Sequence, residues 1–340
     1  MRRAESNKKP GISYAFTNDG LELPLIDVTH PAFALPRGTE LQRKAVQKFV
    51  RDQKQFQKLP TLAQKLLLRL FLRGSLHTRA LRDAASTFLP GLPTYLLKIP
   101  PDLLGEYARP IDRKLAEGAP ILSVRYRLQD MATLAAEALA PALLAERERP
   151  LVLVNIAGGP AFDSLNALLL LRRDHPELLR SRSTRIRVLD ADSAGPQFGA
   201  RSLEVFASPG APLEGLDIRF DYERFDWRDR AGLRAVLESA ATQNAVTLGQ
   251  SEGGLFEYGS DADIVAVLSE FREAARGFLG FVGSVTRNDE FVAFAKSISK
   301  TTTRPRGLSV FEPLCRAAGY EIHRALERPL SDNVWIRPAE

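Results

Sequence analysis

Cysteine is almost missing: Cys315 is the only one among 340 residues. A lone thiol closes no internal disulfide and builds no multi-thiolate metal site, so neither a disulfide scaffold nor structural zinc is expected, and no metal is assigned. No apolar run approaches the roughly 20 residues that cross a bilayer. Stretches such as Leu165–Leu171 are far shorter, and no membrane span is expected. The charged start Met1-Arg2-Arg3 lacks the apolar core and cleavage site of a secretory leader, which places the chain in the cytoplasm as an expectation. Histidine is sparse, and His30, His77, His175 and His323 are scattered through the chain, so no catalytic base is named. A phosphate-cradling loop ending in Gly-Lys-Ser/Thr is absent, and so are the three spaced glycines of a dinucleotide fingerprint. No internal repeat or low-complexity segment points to a solenoid.

What is present is a globular composition. With 44% hydrophobic residues the chain can bury a substantial core, as one large domain or two moderate ones. The net charge of +6 is unevenly spread: residues 1–150 hold 24 basic against 15 acidic side chains, and residues 151–340 hold 23 against 26. A basic half suits nucleic acid, an anionic surface or a solvated helical face. No basic run is interleaved with aromatics, so nucleic acid is not favoured.

Residues 1–38 are rich in proline and glycine without a sustained period and read as an extended arm. Residues 39–119 read as a mainly helical N-terminal region. Apolar residues recur at three-to-four spacing over Glu40–Gln57 and Leu62–Leu72, and further helices are predicted near 76–87, 101–117 and 121–146. Leu89-Pro90-Gly91-Leu92-Pro93 interrupts this pattern. The region is expected to cap the remainder of the chain or to form an oligomerisation surface.

At Pro150 the pattern changes. Leu151–Ile156 is a short apolar strand, followed by Gly158-Gly159-Pro160 and a helical stretch. Strands are predicted near 185–189, 216–221, 245–250 and 277–284, with helices near 196–206, 229–241, 261–275 and 288–299. A last helix near 308–318 ends at Gly319, and Tyr320–Leu326 and Asn333–Arg337 read as a closing antiparallel hairpin. The fold class is therefore α/β: a doubly wound, mostly parallel Rossmann-like sheet with an antiparallel C-terminal edge over 120–340, plus the helical N-terminal region.

An open parallel sheet binds ligands beyond the carboxyl ends of its strands. The turn after the first strand, Asn155-Ile156-Ala157-Gly158-Gly159-Pro160-Ala161-Phe162-Asp163, has small residues that let a ligand approach the backbone, or it is an ordinary tight turn. The second strand ends in Asp190-Ala191-Asp192, where a carboxylate can accept from both ribose hydroxyls; Asp190 is the first choice, and Asp192 also suits a helix cap. Arg224-Phe225-Asp226-Trp227 after the third strand offers an acid for an adenine amino group and a ring beside it. Core packing for Trp227 and capping for Asp226 are the alternatives.

These motifs together resemble the class I S-adenosylmethionine-dependent methyltransferases, more narrowly the leucine carboxyl methyltransferase and polyketide O-methyltransferase group. Arg125-Tyr126-Arg127-Leu128-Gln129-Asp130 is similar to that group's Arg-Thr-Arg-x-x-Asp motif before the first strand. Gly159–Ser164 aligns with a Gly-Ala-Gly-Leu-Asp-Thr turn, and Glu252–Tyr258 approximates a Glu-Gly-x-x-x-Tyr motif after the fourth strand. The resemblance implies S-adenosylmethionine as cofactor, with Arg125 on its carboxylate and Gly158, Gly159, Ala161 and Asp163 at its methionine portion. It implies Asp190 and Asp192 near the ribose, Asp226 and Trp227 at the adenine, and Glu252 under the sulfonium. Three departures stand out: Asn155 replaces an acid, and Ala157 and Ala161 replace glycines.

In-line methyl transfer depends most on holding the acceptor close and aligned. The function expected from the resemblance is O-methylation of a small-molecule carboxylate or hydroxyl, with Tyr126, Tyr222 and Tyr258 as pocket or core residues. The alternatives are a protein carboxyl or RNA methyltransferase and a non-catalytic methyltransferase-like binding protein. The Asn/Asp-Pro-Pro-Tyr motif of base amino methylation is absent.

Overall fold

The computed structural model describes residues 8–35, 38–71, 76–77, 80, 91–274, 277–297 and 302–339. The arm carries a small antiparallel hairpin, β1 (Tyr14–Phe16) and β2 (Glu22–Pro24). Strands of three residues are too short to show a period, so the sequence reads there only as extended chain. Leu23, Leu25 and Ile26 are buried, and Arg201 Nε donates to Phe16 O at 2.6 Å, so hydrophobic burial and a long-range hydrogen bond both hold the hairpin on the domain.

Helices α1 (Thr39–Gln57) and α2 (Thr61–Phe71) follow the expected amphipathic spans. The helix expected over 76–87 lies, apart from Leu76, His77 and Ala80, outside the described residues. The proline- and glycine-rich interruption instead opens α3 (Gly91–Lys98). Pro93 in its first turn needs no intrahelical donor, and Thr94–Lys98 are buried on every side, so no amphipathic period marks the helix. The helix expected over 101–117 is corrected to two 3-10 turns, Pro101–Leu103 and Gly105–Tyr107, and a short α4 (Pro110–Ala116). Pro110 holds Arg109 in an extended conformation, φ −123° and ψ 158°, which breaks a continuous helix. The long α5 (Ala119–Ala145) leads into the sheet.

The sheet begins with β3 (Leu151–Ile156), all six residues buried because helices cover both faces. In chain order follow α6 (Phe162–Asp174), β4 (Thr184–Asp190), α7 (Ala194–Phe206), β5 (Ile218–Arg224), α8 (Ala231–Thr242), β6 (Val246–Ser251), α9 (Leu255–Tyr258) and α10 (Asp261–Ala274). The chain ends with β7 (Phe278–Thr286), α11 (Glu290–Ser297), α12 (Gly307–Ala317), β8 (Tyr320–Glu327) and β9 (Ser331–Pro338). The last two residues of the helix expected to reach 299 lie outside the described residues.

The spatial order is β5-β4-β3-β6-β7-β9-β8, parallel from β5 to β7. This is the doubly wound order with one addition: β9 inserts antiparallel between β7 and β8. A short turn at Arg328–Leu330 allows only an antiparallel return. The expected closing hairpin is thus present, with its antiparallel member one strand in from the edge and its outermost strand pointing the same way as β3.

Each face of the sheet has its own core. One cluster joins β3 with α8, α10 and α12 through Leu237, Phe271 and Phe311. The other joins α5, α6 and α7 with the N-terminal region, so Leu23, Tyr95 and Leu97 share a core with Phe162 and Phe198. Tyr95 packs 4.4 Å from Phe162 between ring centres and donates its hydroxyl to Pro24 O at 2.6 Å. Apolar contact and a satisfied phenol therefore seat α3 on the sheet domain. Among the described residues no helix is long and apolar enough to cross a membrane.

Candidate functional site

The turn after β3 takes three positive φ angles, at Ala157 (52°), Gly159 (56°) and Ala161 (50°). A left-handed conformation costs a residue with a Cβ roughly 1–2 kcal/mol. Ala161 is therefore strained at a position where glycine would not be. The turn is held by Ala157 N donating to Leu189 O at 2.7 Å and by Ala161 N donating to Gly158 O at 3.0 Å. Gly158 is required for space, since a Cβ there would overlap the Asn155 side-chain oxygen.

Asn155, which stands where an acid is common in the resembling group, locks the turn to the helix behind it. Its Nδ2 donates to Asp163 Oδ1 at 2.8 Å and to Ser164 Oγ at 3.1 Å. Asp163 is fully buried in the first turn of α6 and accepts a second bond from Gln250 Nε2 at 3.3 Å. Burial first, and repulsion from Glu252 second, push its pKa up to about 7.

Asp190 ties two strand ends together. Its Oδ2 accepts from Gly159 N and its Oδ1 from Asp192 N, both at 2.9 Å. The carboxyl is almost wholly buried, and that burial raises its pKa against the two backbone donors. Gly158, Asp190 and Glu252 line one cleft at the carboxyl ends of β3, β4 and β6. Gly159, Ala161 and Asp163 form the turn and helix start beneath it.

The remaining sequence-assigned residues do not line this cleft. Asp192 accepts from Ala194 N at 3.3 Å at the start of α7. Asp226 is exposed and bound by Arg228, whose hydrogen bonds lower its pKa. Trp227 is half-buried against the core that joins β3 with α8, α10 and α12. Arg125 is half-buried in a separate small space with Ile26, Phe33 and Leu128, where burial lowers its pKa. His77, the one fully buried histidine among the described residues, sits beside Asp112 and the Ile99 carbonyl rather than at the cleft.

Three residues that the sequence does not single out complete the site. Lys98 Nζ lies 2.5 Å from Glu252 Oε1. Arg127 lies 3.4 Å from Glu252 through Nε and 2.8 Å from Glu257 Oε1 through a terminal nitrogen. All four side chains are buried, so two cations and two anions neutralise one another away from water. Burial lowers the pKa of Lys98 although Glu252 opposes it. Burial also works against the charge of Arg127, but Glu257 and Glu252 hold its pKa above the ordinary value. Arg127 is two positions from Arg125 on α5, which places the two side chains on different helix faces. The Arg-x-Arg spacing signals a cation here, but the face is set by packing.

Helix α3 closes the cleft. Gly91 and Gly159 meet backbone to backbone, so a Cβ on either would overlap the Cα of the other, and Thr94 and Lys98 line what remains. That remainder is about 20 Å³. Small-molecule sites usually measure about 300–1,000 Å³, so with α3 seated the cleft admits little more than a water molecule.

No family model and no curated protein matches the chain. Solved structures do. A protein from Bordetella parapertussis described as a possible exported protein aligns over 88% of this chain and 95% of its own, with a TM-score of 0.55 and 16% identity. A methyltransferase of calicheamicin biosynthesis in its S-adenosylhomocysteine-bound form aligns over 67% of this chain and 58% of its own, with a TM-score of 0.37 and 18% identity. A 1,6-didemethyltoxoflavin-N1-methyltransferase from Burkholderia thailandensis aligns over 60% and 79%, with a TM-score of 0.37 and 15% identity. The match thus spans little more than half the length of the calicheamicin enzyme. At 16% identity the likeness to the Bordetella parapertussis protein is one of fold alone.

Proposed function

We propose that the chain is an S-adenosylmethionine-dependent methyltransferase acting in the cytoplasm on a small-molecule oxygen acceptor. The observation that carries this reading is the convergence of Gly158, Asp190 and Glu252 on one cleft at the carboxyl ends of three adjacent parallel strands. That is where a doubly wound sheet binds its ligand. The cofactor, when bound, supplies a methyl group on a sulfonium centre. The residues that would face it are the Gly158-Gly159 turn, Asp190 and Glu252.

With α3 seated, the cofactor does not fit, because about 20 Å³ is far below what a nucleoside with an amino-acid chain occupies. Lys98 already presents a cation to Glu252, the carboxylate that the resemblance sets under the sulfonium. Helix α3 and the cofactor therefore exclude one another, and binding requires α3 to withdraw. The same closure favours a second reading, a methyltransferase-like protein that works without this cofactor.

Calorimetry with S-adenosylmethionine and S-adenosylhomocysteine separates the two. We expect weak binding to the native chain, tighter binding to Gly91→Val, whose side chain cannot sit against Gly159, and loss of binding in Asp190→Ala. Circular dichroism establishes that each variant is folded, and Lys98→Met provides a second way to loosen α3. If native chain, Gly91→Val and Lys98→Met are all folded and bind neither compound, the methyltransferase reading is overturned in favour of the second.

A further inference from the structure

A second cavity, of about 310 Å³, lies beside the closed cleft, where α1, α5, α9 and α11 meet. Its walls are apolar: Phe49, Leu97, Ile121, Val124 and Val292 line it. Its polar lining includes Arg127 and Glu257, already paired at 2.8 Å, and that pair belongs to the neutral four-residue network with Lys98 and Glu252. Cavity and cleft lie on neighbouring sides of α3, because its consecutive residues line them: Leu97 the cavity and Lys98 the cleft.

One lining group has no partner. Ser123 is 2% exposed, and its hydroxyl oxygen makes no hydrogen bond among the described residues. A buried hydroxyl left unpaired is unfavourable, and a serine within a helix ordinarily has a carbonyl one turn back to bond. An apolar space large enough for a small molecule and an orphaned hydroxyl on its wall are independent features of the same place.

We infer that this cavity binds a neutral, largely apolar molecule of on the order of 10–20 non-hydrogen atoms, with one hydroxyl group that pairs with Ser123. The ligand is neutral at its buried end because the cations there are already matched by Glu252 and Glu257. At that end a carboxylate would have to break one of those pairs to be held. The exposed Lys296 lines the same cavity, and its ammonium donates to Thr303 O at 2.6 Å. Identifying this ligand as the methyl acceptor rests on the methyltransferase reading; the binding itself does not. On that reading the acceptor is an alcohol or phenol rather than a carboxylic acid, and withdrawal of α3 joins its cavity to the cofactor cleft.

The test is equilibrium binding of 1-naphthol, naphthalene and 1-naphthoate to the full chain without cofactor, followed by fluorescence and calorimetry. We expect saturable one-to-one binding of 1-naphthol, about fivefold weaker binding of naphthalene and at least about tenfold weaker binding of naphthoate. Ser123→Ala should bind 1-naphthol and naphthalene alike, and Val124→Trp, which fills the cavity, should bind neither. Unchanged 1-naphthol affinity in both variants, naphthoate binding as tight as naphthol, or no saturable binding to the folded native chain overturns the inference. Because Ser123→Ala removes one atom, it serves if Val124→Trp fails to fold. Cofactor calorimetry is read separately: cofactor binding with no naphthol binding removes this inference alone, and naphthol binding with no cofactor binding to the native chain, Gly91→Val or Lys98→Met removes only the methyltransferase reading.

Discussion

Lys98 reaches across the molecule to Glu252, with Nζ 2.5 Å from Oε1 and both side chains buried. This contact fixes a helix from the first hundred residues against the turn after β6. Removing one partner of a buried pair is costly because the other keeps its charge without compensation. Glu252 retains Arg127 at 3.4 Å, so the loss is softened. We expect Lys98→Met to lower stability by about 1–3 kcal/mol and to speed amide exchange within α3 more than in β3. Equal exchange in native and variant chains would show that the pair does not hold α3.

Asp163 makes stability depend on pH. Its folded pKa is raised from 3.8 to about 7. Between those values the unfolded chain gives up this proton and the folded chain keeps it, so the group's contribution is present below about pH 4 and is lost as pH rises towards 7. A tenfold difference in proton affinity between the two states is worth about 1.4 kcal/mol, so stability changes by a few kcal/mol across this range. Urea unfolding at pH 5 and pH 7.5 should show a fall in stability that Asp163→Asn flattens. A variant with the native slope would remove Asp163 as its source.

Ala161 occupies a left-handed conformation at φ 50°. Glycine adopts that conformation without the Cβ clash, although it also loses more freedom on folding. We expect Ala161→Gly to be neutral or to stabilise by up to about 1 kcal/mol, whereas alanine-to-glycine changes within helices usually destabilise. A loss above about 1 kcal/mol in denaturant unfolding would contradict the strain.

Asp130 joins α5 to the closing hairpin. It accepts two bonds from Arg328, both at 2.7 Å, and one from Asn333 Nδ2 at 2.8 Å. Asn333 lies within the inserted strand β9 and is fully buried. Asp130→Ala strands that amide and the guanidinium together, and we expect a loss of about 2–4 kcal/mol. Asp130→Asn, which keeps one acceptor, should lose less; equal losses would place the effect in packing.

Much of the sheet is legible in the chain because each strand is a short apolar run followed by a turn and an amphipathic helix. The strand expected at 216–221 is found at Ile218–Arg224, displaced because its burial pattern is only partial and gives a weak edge signal. The assignment of Asp190 rests on strand-end position and on the resemblance, and the structure adds that both of its oxygens are engaged by backbone donors. Lys98 is not legible as a site residue: it lies between the Leu89–Pro93 interruption and the helix expected from 101, where no element is predicted, and its partner is more than 150 residues away in the chain.

The sequence by itself determined the alternation of strand and helix after Pro150, the order of the strand-end motifs and the mainly helical character of the N-terminal region. Local periodicity and turn chemistry are sufficient for those features. Tertiary structure alone decided that β9 would enter between β7 and β8, that Arg127 rather than Arg125 would meet Glu252, and that α3 would lie on the Gly159 turn. Those outcomes depend on which buried surfaces and charges find one another across long separations, and no local pattern in the chain carries that information.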